Sequence, residues 1–180
     1  MFGRKLFASA TAVVLVLTAT AVQAAPPATT SLTASWSSGV PGDRFVSLGE
    51  ISVTEAPDGT VALSFDITFT VACEGLIGAS TTTRWQATDA PASLSVKNNL
   101  TSATATAYVV GGFSVTSTCP GVPVVTGDVG PVTIDAVGTN RTLRERTADG
   151  VRILTRSISA GLHVGSWSAV VTGEIEKQIG

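Results

Sequence analysis

The chain has 180 residues, 44% of them hydrophobic and only 13% charged, with 11 basic against 13 acidic side chains, one histidine and two cysteines. A net charge of −2 excludes a protein that binds a polyanion over its whole surface. A single histidine without any C-x-x-C pair leaves little from which to build a metal or redox centre, and no cofactor is expected.

The first 24 residues have the order of a secretory signal: basic Arg4 and Lys5, an apolar run from Leu6 to Val22, then small side chains at Val22 and Ala24. Cleavage is expected after Ala24, which predicts a secreted, extracellular protein. Its apolar run is short for a membrane anchor and is diluted by Ser and Thr, and no later segment is expected to span a membrane. The mature chain would keep nine basic and 13 acidic residues, a net charge of −4. Arg outnumbers Lys, and Ala, Thr, Val and Gly dominate, a bias common in GC-rich bacterial genomes. The sequons Asn99-Leu100-Thr101 and Asn140-Arg141-Thr142 are then expected to stay bare.

Residues 25–30 read as a flexible lead-in and 31–177 as a single domain. No helical period follows. Short runs of Val, Ile, Thr, Phe and Trp recur between Gly, Pro, Asp and Asn, which predicts an all-β, antiparallel sandwich or closed barrel of roughly nine to eleven strands. The strands are expected at 31–37, 44–55, 60–73, 80–88, 92–98, 102–118, 122–126, 131–137, 139–147, 151–159 and 162–173. The clearest runs from Val61 to Cys73, where every odd residue is apolar and every even one is Ala, Ser, Thr or Asp. Ala56-Pro57-Asp58-Gly59 before it has the chemistry of a hairpin turn. Gly111-Gly112 predicts a bulge or bend within 102–118.

Cys73 shares a strand face with Phe65, Ile67, Phe69 and Val71, and Cys119 shares parity with Val109, Phe113 and Val115. Both are expected to point inward at strand ends, each followed two residues later by a turn glycine. In an exported chain this predicts one Cys73–Cys119 disulfide.

From 139 to 159 the chain carries five arginines against Glu145 and Asp149. A three-residue turn at Ala148-Asp149-Gly150 would set Arg144, Arg146, Arg152 and Arg156 on one hairpin face. Such a face suits phosphate, sulfate or carboxylate groups; charge protecting a sheet edge accounts for it as well. Nucleic acid is not expected as a partner, because no aromatic side chains interleave with the arginines.

Catalytic candidates are sparse. His163 has no accompanying G-x-S-x-G motif. Asp66, Glu50, Glu55, Asp128 and Asp135 are the carboxylates from which a glycosidase-like pair could be drawn. Glu174 and Glu176 share a face in a segment expected to fray. Asp43, Asp58, Asp89 and Asp128 sit beside turn formers and lack the spacing of a calcium loop. Trp36, Trp85 and Trp167 read as core anchors. No family is identified: Ala34-Ser35-Trp36 is similar to the first-strand tryptophan of lipocalins over three residues but lacks the glycine of their G-x-W. The reading is an exported, non-catalytic binding domain whose partner is an anionic cell-surface polymer or a protein. Its competitors are a secreted hydrolase using Asp66, Glu50 or His163, and an apolar-ligand carrier with a hollow barrel.

Overall fold

A computed structural model describes residues 28–39, 44–139 and 142–180. The signal segment, Asp43, Asn140 and Arg141 lie outside them. Nine strands and no helix make up the described chain: β1 Thr29–Ser38, β2 Phe45–Glu55, β3 Val61–Ala72, β4 Ser80–Val96, β5 Ser102–Ser117, β6 Val125–Gly138, β7 Arg144–Ala148, β8 Val151–Val164 and β9 Trp167–Ile179. All pairings are antiparallel. The hydrogen-bonded order is β6-β5-β4-β3-β2-β1-β9-β8-β7, and a further β6–β8 pairing closes eight strands into a barrel. The fold is therefore the closed barrel rather than the sandwich. β7 stands outside the ring: β8 gives residues 151–155 to β7 and 158–164 to β6.

Alternation decides what fills the barrel. Leu32 and Ala34 of β1, Ile51 and Val53 of β2, and Leu63, Phe65 and Ile67 of β3 all point inward and are at most 5% exposed. They meet Ala103 and Ala105, Val132 and Ile134, Ile158, Leu162, Val171 and Ile175 from the remaining strands. Burying one such Leu, Ile or Phe contributes about 1.5–3 kcal/mol. Eight strands leave just enough width for side chains to fill the interior. The interior crevice between Leu63, Ala92, Ala105, Val132 and Ile134 has an empty volume of about 130 Å³ and no room for a water-sized molecule.

One end of the barrel is aromatic. Trp36 stacks on Trp167 at 5.5 Å, Trp167 meets Trp85 at 6.1 Å, and Trp85 meets Phe113 at 5.8 Å. The three tryptophans are core anchors, as expected. Gly49 is what lets this cluster form, since a Cβ there would lie 2.1 Å from Cζ2 of Trp36.

Beyond the aromatic cluster, the Cys73–Cys119 disulfide ties the 73–79 and 118–124 loops across 46 residues, with Cα atoms 6.0 Å apart. Both cysteines are half-buried at the barrel rim rather than inside the core. The opposite end is stoppered by Leu100, which is fully buried.

Several expected boundaries shift. The segments 80–88 and 92–98 are one strand, β4: Pro91 pairs with Ala62, and the irregularity is taken up by Asp89 at a φ of 49°. In the same way β6 starts at Val125, within the expected 122–126, and continues through Gly130, at a φ of 82°, into 131–137. A proline beside a bulge needs no ladder N–H, so neither break ends its strand. β1 begins at Thr29, inside the expected lead-in, and β9 runs paired to Ile179 instead of fraying. The Gly111-Gly112 bulge is present: one extra β5 residue falls between the Val109–Gly130 and Gly112–Asp128 pairs, and beyond it Phe113 packs on Trp85.

Candidate functional site

The hairpin of β7 and β8 turns on two residues, Asp149 and Gly150, with Ala148 opposite Val151. That corrects the three-residue turn, and a one-residue slip moves side chains to the other face. Arg146 now lies opposite Ile153 and Arg144 opposite Thr155 on the outer face, whereas Thr147 pairs with Arg152 on the inner one. The four arginines are split. Arg152 donates from Nε and Nη2 to the Glu145 carboxylate at 2.5 and 2.9 Å. Arg146 approaches Glu176 at 3.6 Å. Arg156, opposite Ile175 and only 8% exposed, turns into the barrel end. Gly138 makes space for it, since a Cβ there would stand 2.7 Å from the Arg156 Cδ. Arg144 alone is exposed and without an ion pair among the described residues.

The carboxylate candidates fare differently. The turn at 56–59 forms as expected, with Gly59 N donating to Ala56 O at 2.9 Å and Thr60 N to Asp58 Oδ1 at 2.9 Å. These hydrogen bonds from Thr60 hold the Asp58 carboxyl below its ordinary value. The same turn sets Glu55 opposite Val61, and five residues further along the ladder Glu50 faces Asp66. Directly opposed side chains in an antiparallel pair have Cβ atoms about 4.5–5.5 Å apart. Two carboxylates so placed repel. Arg84 relieves this by donating from Nε and Nη2 to the two Asp66 oxygens, the first at 2.9 Å. The guanidinium holds the Asp66 carboxyl below its ordinary value.

Around this pair the outer wall is concave. A depression of about 650 Å³ is lined from β1, β2, β3, β4 and β9. One unbroken cross-strand row runs Ser35, Glu50, Asp66, Gln86. The next runs Glu174, Thr33, Ser52, Ser64. Every residue in both rows is polar, because outward positions alternate with the inward Ala34, Ile51 and Phe65. Apart from the Asp66–Arg84 pair and the Ser64–Asp89 hydrogen bonds, these side chains have no side-chain partner among the described residues.

The remaining candidates are scattered. His163 is exposed on β8 between Thr133 and Ser168, four strands from β3 in either direction round the ring, so the barrel separates it from Asp66. Asp128 accepts from the Gly111 backbone N–H at 2.6 Å and supports the bulge. Asp135 touches Thr104 at 3.4 Å, and Glu55 lies at the end of β2, away from the depression. No cluster of three or more potential metal ligands occurs among the described residues. The facing of Glu50 and Asp66 was the signal available to sequence reasoning, by counting back from the 56–59 turn. The concavity, which depends on five strands at once, was not.

No protein-family model matches the chain, and neither the curated proteins nor the solved structures compared with it show a significant likeness.

Proposed function

We propose that this protein is an exported binding domain that holds its partner without chemistry. The observation that carries the reading is the contrast between a filled interior and a polar depression of about 650 Å³ on the outer wall. A carrier needs the reverse arrangement. A glycosidase needs one carboxyl of its pair as proton donor, and Asp66, held ionised by Arg84, is not that acid. Export is supported by the order of residues 1–24 and by a Cys73–Cys119 disulfide of the kind that persists in oxidising compartments. No helix among the described residues is long and apolar enough to cross a membrane.

A second contact is supported by Arg144 and Arg146, two residues apart on the outer face of β7. They suit an anionic group, as on a cell-surface polymer, though with half the arginines that the sequence suggests.

Full-length expression in a secreting host should yield a chain beginning at Ala25. Incubated with chromogenic glycosides and esters, it should release no product. Turnover abolished by Glu50→Gln or Asp66→Asn would replace this reading with the hydrolase. Salt-sensitive retention on a sulfated polymer, lost in Arg144→Ala/Arg146→Ala, would establish the second contact.

A further inference from the structure

We infer that the outer depression is a binding site for a neutral, hydroxyl-rich chain, an oligosaccharide or polysaccharide laid across β9, β1, β2, β3 and β4. The inference rests on the binding-domain reading and names the chemistry of its ligand. Five strands at a spacing of ~4.8 Å span roughly 19 Å, the extent of a short oligosaccharide rather than of a single small molecule.

The lining matches sugar hydroxyls, which donate and accept at once. Ser35 and Ser52 can do the same in return, and the Gln86 amide presents both functions on one planar group. Glu50 contributes two acceptor oxygens, the geometry that takes two neighbouring hydroxyls. Their hydrogen-bonding capacity is unspent, since none of the four has a side-chain partner among the described residues. Arg84 is different. Its bidentate bond to Asp66 fixes a charged pair in place before any ligand arrives, which lowers the ordering cost of binding.

Charge narrows the class. Glu50, Asp66 and Glu174 against Arg84 leave the depression with two net negative charges, so sulfated or uronic polymers are repelled. An apolar ligand would strand these polar groups without partners, at a cost. The principal rival is a basic peptide drawn by the surplus carboxylates. It would bind through charge and therefore lose affinity steeply with salt, whereas hydrogen bonds to neutral hydroxyls should not. No tryptophan or tyrosine lines the depression, and Phe65, its one aromatic neighbour, faces inward, so binding is expected to be weak and reversible.

The test is calorimetric titration of the protein recovered from full-length expression. The probes are xylan, a soluble neutral glucan, heparin and oligolysine, each at low and high salt. Saturable binding of a neutral polymer is expected, unchanged by salt and weakened at least fivefold by Glu50→Gln and by Gln86→Ala. Ser52→Trp should block it by filling the depression. All three positions face outward, so the variants should melt within a few degrees of the parent, and melting curves verify this. Failure of both neutral polymers to bind overturns the inference, as does binding indifferent to all three substitutions. Binding of oligolysine alone, lost with salt, overturns it in favour of a peptide. Binding of heparin alone, removed by Arg144→Ala/Arg146→Ala, overturns it while leaving the binding-domain reading standing; hydrolysis of a probe defeats both.

Discussion

Two charged regions of this barrel use opposite arrangements of the same residue types. On the β7–β8 hairpin, basic charge is dense in sequence yet divided in space: Arg152 is bound to Glu145, Arg146 leans on Glu176, and Arg156 is folded inward. On the outer wall of β1–β4 and β9, charge is sparse in sequence yet gathered, with Glu50, Asp66, Arg84 and Glu174 around one depression. A run of like charges therefore says less about a binding surface than the register that distributes it.

The largest expected effect should strike both regions together. Replacing Cys73 and Cys119 by Ser reopens a 46-residue connection and should cost about 4 kcal/mol by the chain-entropy relation. Denaturant unfolding followed by tryptophan fluorescence measures it. Amide exchange that accelerates over β3–β5 while the β7–β8 hairpin keeps its protection would break the comparison, by showing that the wall depends on the disulfide and the hairpin does not.

The hairpin itself can be divided by two substitutions. Arg156→Ala removes a buried stem beside Gly138 and should lower stability by about 2–3 kcal/mol. Arg144→Ala, on the outer face of the same hairpin, should stay within about 0.5 kcal/mol. Equal costs would mean that the inward and outward arginines are not distinct. Beneath the wall, Gly49→Ala drives a methyl into the Trp36 ring and should cost about 1–3 kcal/mol through overpacking. A shift in tryptophan emission should accompany the lower melting temperature.

The smallest effect distinguishes the two ion pairs. Arg84→Ala leaves Asp66 facing Glu50 unrelieved and should cost less than about 1 kcal/mol at neutral pH, because the pair is partly exposed. Asp66 is more acidic folded than its ordinary 3.8. Its stabilising contribution is therefore complete above that pH and disappears as pH falls through the lower folded value. Melting curves of parent and Arg84→Ala should converge on acidification below about pH 3.8. A gap that persists at pH 2 would assign the role of Arg84 to packing instead. Glu145 is likewise lowered by Arg152, but β7 stands outside the ring, and Arg152→Ala should leave the melting temperature almost unchanged.

Much of the fold was legible in the residues. Strict alternation from Val61 to Cys73 identifies the inward face of β3, the Pro-Asp-Gly turn aligns β2 with β3, and paired glycines locate the β5 bulge. The disulfide followed from two cysteines of inward parity in a chain whose first 24 residues have the order of a secretory signal. Each of these signals is local, with a period of two or a turn of a few residues. What misled was local as well. The gaps expected at 89–91 and 127–130 read as breaks between strands, but each is crossed by one continuous strand, with Asp89 and Gly130 at positive φ. The Asp149-Gly150 turn admits a two- or a three-residue loop, and that single residue decides which face Arg152 takes.

By itself, then, the sequence determined an all-β chain, the inward and outward sets of β3, and the staple between Cys73 and Cys119. Only the tertiary structure decided that β6 would bypass β7 to pair with β8, that β1 would close the ring against β9, and that eleven outward polar residues from five strands would line one hollow. The closure of β1 on β9 joins segments more than a hundred residues apart, such as Thr30 and Lys177. These choices are made by how the whole interior packs, with tryptophan on tryptophan and glycine under ring, which no short stretch of sequence encodes.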